Sequence, residues 1–110
     1  MKTIRILSES AELGKRLRDI LYQAGHAEIS VSGLAAAPQS DILIIYAKSR
    51  IPDIIQYASD CDAAVILLLN PDCYAMHLDR ARHAGIRLLL MPVAPDTLLD
   101  AVQDCLALER

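Results

Sequence analysis

Cys73 and His77 stand four residues apart in a stretch that reads as helix, a spacing that can pair a thiolate with a base or supply two ligands to a metal. No third ligand lies near them in the chain, so chance spacing is the simpler account. Glu9 could join Asp53 or Asp72 in a weak cation site. Ser8, Ser10, Tyr46, Ser49 and Asn70 could hydrogen-bond a neutral polar ligand if the fold gathers them. The plainer reading of Tyr46 is a residue that ends a strand with its hydroxyl in water. The plainer reading of His83 is a partner for the negative end of a helix dipole. There is no Gly-rich phosphate loop, no Ser-His-Asp order and no G-x-G-x-x-G motif.

Short apolar runs must position these side chains. They are Thr3–Leu7, Glu28–Ser32, Asp41–Tyr46, Ala64–Leu69 and Arg87–Met91. The third, fourth and fifth are almost uninterrupted, as expected of strands buried on both faces. Between them lie helical signals. Ser8 or Ser10 can cap a helix over about 11–24, with Leu13, Leu17, Ile20, Leu21 and Ala24 on its apolar stripe and Gly25 as its stop. Pro52, Pro71 and Pro95 each suit a first helical position. Asn70 can cap the helix that opens at Pro71, and Gly85 can end it. The last helix, about 95–108, carries Leu98, Leu99, Val102, Cys105 and Leu106 on one face. Gly33–Ser40, between the second and third strands, is too short for a full crossover helix.

This alternation predicts an α/β fold over residues 1–110 as one domain. The expectation is a flavodoxin-like (βα)5 three-layer sandwich with a parallel five-stranded sheet of order 2-1-3-4-5 and a reduced helix 2. Ligands in such sheets sit at the carboxyl ends of the strands, where the order reverses. The stretches to watch are therefore Ser8–Ser10, Tyr46–Arg50, Leu69–Asp72 and Met91–Val93.

The chain has 110 residues, 54% of them hydrophobic and 4% aromatic, with no Trp or Phe, so its core must be aliphatic. The net charge of -3 and the mixing of Lys2, Lys15, Arg16 and Arg18 with acids argue against direct nucleic-acid binding. Cys61, Cys73 and Cys105 are odd in number and form no C-x-x-C, which reads as free thiols in a reducing cytoplasm. No apolar run reaches the ~18 residues a membrane span needs, and no signal peptide is expected.

Residues Ala84–Val102 read Ala-Gly-Ile-Arg-Leu-Leu-Leu-Met-Pro-Val-Ala-Pro-Asp-Thr-Leu-Leu-Asp-Ala-Val. This stretch resembles the end of the receiver domain of two-component response regulators, where Ala-Gly-Ala leads into a short strand, Lys-Pro and a Pro-Glu-Glu-Leu helix. In pattern the resemblance extends over nearly the whole chain; in motif it is specific to this last third. It implies a cis Met91–Pro92 bond. It also implies a site in which an acidic pair and a strand-end Asp hold Mg²⁺, the Asp takes up phosphoryl, and a Lys and a Thr or Ser stabilise the product.

At those positions this chain has Ser8-Glu9 for the acidic pair, Tyr46 for the phosphoacceptor, Leu69 followed by Asn70 for the Thr/Ser, and Met91 before Pro92 for the Lys. A phenol cannot form an acyl phosphate, and a thioether cannot neutralise a phosphoryl group. The chain thus resembles a pseudo-receiver, expected to have no catalytic residues, metal or cofactor. It would act by protein contact or as a homodimer. The resemblance implies an interaction face over the helix that ends near Gly85, the fifth strand and the last helix, displaying Asp79, Arg80, His83, Arg87, Asp96, Asp100 and Asp104. Its mixed charges would suit a two-fold contact. The lost acids and short 33–40 segment also resemble the amino-terminal domains of antitermination regulators, whose RNA-binding output would lie outside this domain. A second reading is a small-ligand binder or enzyme using the carboxyl strand-end pocket. A third is a phosphorylation-competent receiver with an unusual acceptor.

Overall fold

Apolar alternation explains the layers. The computed structural model describes residues 3–26, 29–32, 42–48, 50–60 and 64–108. Its elements run β1 (Ile4–Ser8), α1 (Ala11–Gln23), β2 (Ile29–Ser32), β3 (Ile42–Tyr46), α2 (Ile51–Ser59), β4 (Ala64–Leu69), α3 (Pro71–His83), β5 (Arg87–Leu90) and α4 (Pro95–Leu108). All strand pairs are parallel and the sheet order is β2-β1-β3-β4-β5. This is the expected flavodoxin-like order. Four helices are found among the described residues; the reduced second helix expected within 33–40 lies outside them, as do Lys2, Asp41, Ser49 and Cys61.

Successive residues of β3 and β4 point to opposite layers. Ile42, Ile44, Tyr46, Ile66 and Leu68 pack with α1 and α4 through Leu17, Leu21, Leu98, Val102 and Cys105. Leu43, Ile45, Val65, Leu67 and Leu69 pack with α2 and α3 through Ile51, Ile55, Ala58 and Ala81. Burying each large aliphatic contributes about 1.5–3 kcal/mol, so these rows of wholly buried side chains are the main source of cohesion.

The two edge strands are less buried. On β2, Ile29 and Val31 turn to the α1 layer, and Ser30 is exposed beside the partly buried Arg5. That row is polar, so the sheet there has little apolar surface for a helix to cover. Strand β5 departs from the expectation of burial on both faces: Arg87 is exposed and Leu90 is 48% exposed. Among the described residues it is an edge, with β4 on one side.

Helix ends follow local chemistry. The Leu13 N–H donates to Ser10 Oγ at 3.3 Å, so Ser10 rather than Ser8 caps α1. Ala24 is an exposed C-cap and lies off the buried stripe. After α1 and α3, Gly25 and Gly85 take φ of 99° and 75°, the left-handed region glycine enters freely. The following N–H groups, of His26 and Ile86, then donate to Leu21 and Ala81 carbonyls at 3.1 and 3.0 Å. Pro52 is the second residue of α2, behind Ile51.

Candidate functional site

The carboxyl ends of β1, β3 and β4 bring Ser8, Tyr46 and Leu68 into one register row. Glu9 follows that row, and Leu69 and Asn70 close it on the β4 side. Met91 joins directly: its N–H donates to the Leu69 carbonyl at 2.8 Å. The Met91–Pro92 peptide is cis, as expected. The strand-end positions read from the sequence are therefore neighbours in space.

Their chemistry is neutral and largely inward. Tyr46 is 6% exposed, so its ring belongs to the core. Its hydroxyl does not end in water, as the plainer reading had it. It faces the Asn70 side-chain amide, 3.5 Å from Oδ1 and 3.4 Å from Nδ2. The Ser8 hydroxyl donates to the Ser10 carbonyl at 2.7 Å and accepts the Ser10 N–H at 3.0 Å, which uses it locally. Leu69 is wholly buried on the α2–α3 side. Met91 packs with Val93 against the α1–α4 core.

Glu9 is the acid of the cluster. Its carboxylate accepts the Lys48 backbone N–H, and its own N–H donates to the Tyr46 carbonyl at 3.3 Å. Mg²⁺ sites usually use one or two carboxylates with phosphate oxygens and water at near-octahedral geometry. Glu9 and Asp53 line one cleft, but the Glu9 carboxylate already accepts a backbone N–H and Asp53 lies toward the Arg50 guanidinium, so neither is held ready for that ion. Among the described residues, no three His, Cys, Asp or Glu gather as a metal site. Cys73 and His77 remain partly buried on α3, with Cys73 against the α2–α3 core. Asp53 is turned toward Arg50, 3.6 Å away, across exposed side chains. Asn70 makes no side-chain cap for α3, contrary to expectation.

A cleft of about 200 Å³ opens beside the cluster. Leu7, Ile45 and Ile54 line it with Glu9, Arg50, Asp53 and Tyr57. Arg50 sits at φ 58°, a left-handed backbone that sequence reading did not foresee at a non-glycine residue.

The residues of the expected interaction face divide. Arg80 and His83 line a groove of about 580 Å³ between α2 and α3, with Gln56 and Ser59 on its other wall. His83 Nδ1 lies 2.8 Å from the Asp79 carbonyl, consistent with its place in the last turn. Arg87 is bound within the chain to Asp104 at 2.8 Å. Asp96, Asp100 and Asp104 fall at i, i+4 and i+8 on α4, all exposed. Leu90 was missed as a surface residue because its run reads as buried strand. Its place at a sheet edge is a tertiary fact.

No protein-family model matches the chain, and no curated protein does. Solved structures do. A response regulator receiver domain protein from Clostridium thermocellum superposes with a TM-score of 0.78 at 14% identity, over 99% of this chain and 97% of that one. The bacteriophytochrome response regulator AtBRR gives 0.67 at 15% identity, over 96% and 92%. The ChxR receiver domain from Chlamydia trachomatis gives 0.59 at 19% identity, over 97% and 99%. No helix among the described residues is long and apolar enough to cross a membrane. Strand order, helix placement and these likenesses together show that the chain has the fold of response regulator receiver domains.

Proposed function

We propose that this chain is a signalling module of receiver type that does not use aspartyl phosphorylation and works by docking a partner protein. The observation that carries this is the buried Tyr46 at the end of β3, its hydroxyl facing Asn70 where the receiver pattern places a phosphoacceptor carboxylate. Met91, partly buried against the core where that pattern has an ammonium, supports the same reading. With neither that acid nor that ammonium in place, a phosphoryl group lacks the acceptor and the charge partner that the receiver pattern supplies.

The docking surface we favour is the α3–β5–α4 side. Leu90 supplies a half-exposed apolar contact at the sheet edge. Asp96, Asp100 and Asp104 form an acidic stripe in which like charges four residues apart repel. Arg87 offsets one end of it. A partner that brings basic residues to this stripe would complement the surface better than a second copy. Any RNA- or DNA-binding output would belong to another domain, because the net charge here is -3.

Incubation with acetyl phosphate or beryllofluoride and Mg²⁺ tests the central claim. Intact mass and the amide NMR spectrum are expected to stay unchanged. A phosphoryl adduct, or shifts centred on Tyr46 and Glu9, would overturn it. The second reading, a small-ligand site, draws on the cleft lined by Glu9, Arg50 and Tyr57. A saturable thermal-shift response to one metabolite, lost in Tyr57→Ala, would favour that reading instead.

A further inference from the structure

Asn70 occupies the N-cap position of α3, with the extended backbone (φ -68°, ψ 157°) that a capping residue uses. From there an Asn side-chain oxygen ordinarily accepts the N–H of the second or third helical residue, here Asp72 or Cys73. It does not do so. The Cys73 N–H donates instead to the Asn70 main-chain carbonyl at 3.0 Å, an acceptor shared with the Tyr74 N–H at 3.0 Å. The Asn70 amide is turned to the Tyr46 hydroxyl, at 3.4 and 3.5 Å.

Both arrangements are within reach of one side chain, since the backbone already suits the cap. The Tyr46 contact is near the outer limit of hydrogen-bond length, so it holds the amide only weakly. Helix α3 is also lightly anchored, with Ala81 its one buried residue, whereas α1 buries Gly14, Leu17 and Leu21 and carries a side-chain cap from Ser10. The first turn of α3 therefore has more to gain from a cap than a well-packed helix does.

We infer that Asn70 is a two-position switch between the strand-end site and α3. Turned to Tyr46, it leaves the first turn of α3 uncapped. Turned to α3, it caps that turn and releases the Tyr46 hydroxyl. A ligand or partner that takes the hydroxyl thus tightens α3, and one that steadies the first turn of α3 frees Tyr46. The use of this device in signalling rests on the receiver-type reading above; the coupling itself rests on the Tyr46, Asn70 and α3 geometry.

Amide hydrogen exchange by NMR on the full chain tests it. Tyr46→Phe keeps the ring and removes the hydroxyl. Exchange at Asp72 and Cys73 is expected to slow about fivefold, the effect of a typical cap, while Leu13 in the capped α1 stays unchanged. Asn70→Ala alone should leave Asp72 and Cys73 at the parent rate, because the side chain is not capping there. In the Tyr46→Phe background the same Asn70→Ala change should abolish the slowing. Asn70→Asp keeps an acceptor for the Tyr46 hydroxyl, so it is read in the Tyr46→Phe background, where this strong cap should slow both amides at least as much as Asn70 does. Unchanged rates in Tyr46→Phe, or slowing that survives Tyr46→Phe/Asn70→Ala, would overturn the switch. A phosphoryl adduct under acetyl phosphate would defeat the proposed function, whereas the switch is judged by these rates in the unmodified chain, so the two can fail separately.

Discussion

At the scale of single residues, Tyr46 and Met91 form a matched pair of neutral choices. Each sits where a charge would need its opposite nearby, Tyr46 inside one core layer and Met91 partly buried against it. A carboxylate placed alone at position 46 would be buried without a cation, which costs about 3 kcal/mol or more. Tyr46→Asp is therefore expected to lower the urea midpoint sharply, with a loss of about 3 kcal/mol at neutral pH. Adding Met91→Lys should return part of that loss. A double-mutant cycle by urea denaturation measures the coupling, and additive effects would mean that the two positions do not share a site. The identities at these positions were readable in the sequence, because run lengths fixed where β3 and β5 end. What Tyr46 touches was not readable. Its partner Asn70 lies on another strand end, and a helix-capping role fits Asn70 equally well by sequence alone.

At the scale of elements, the strongest sequence signals were those with one physical meaning. The wholly apolar β3 and β4 became the buried central strands, and Gly25 and Gly85 the left-handed stops, that their residue types suggest. Signals that depend on neighbours were weaker. The run in β5 reads like β4, yet an edge position leaves Leu90 half exposed. Gly14 lies inside a helix, where glycine is unfavourable by about 1 kcal/mol relative to Ala, and no local pattern explains it. The packing does: a Cβ there would stand 2.8 Å from Val31 Cγ1 on β2. Val is stiff about its side-chain bond, so α1 or β2 would have to move, an overpacking cost of about 1–3 kcal/mol. That exceeds the gain in helix propensity. Gly14→Ala is thus expected to destabilise the chain by about 1 kcal/mol despite improving the helix. Val31→Ala, costly alone, should be less costly in the Gly14→Ala background. A stabilising Gly14→Ala in thermal or urea unfolding would show that β2 yields freely.

At the scale of the whole molecule, the distribution of charge decides between partners. A two-fold contact through α3, β5 and α4 was attractive in sequence because acids and bases seemed to share the face. In the structure Arg80 and His83 line the α2–α3 groove, and Arg87 is held by Asp104. Of the remaining residues, Asp79, Asp96 and Asp100 are all acidic and exposed. Two copies meeting there would bring acid against acid beside the exposed edge strand. Such repulsion weakens as salt shortens the screening length from about 10 Å at 0.1 M to about 3 Å at 1 M, whereas the apolar contact at Leu90 does not. Self-association by sedimentation velocity is therefore expected to be absent at low salt and to rise with added NaCl. Asp96→Asn/Asp100→Asn should bring the same rise at low salt, and Leu90→Asp should remove it under both conditions. A dimer that forms at low salt and dissolves as salt is added would mean that opposite charges join the copies. The face would then be one the molecule offers to itself, and a basic partner would no longer be needed to explain the acidic stripe.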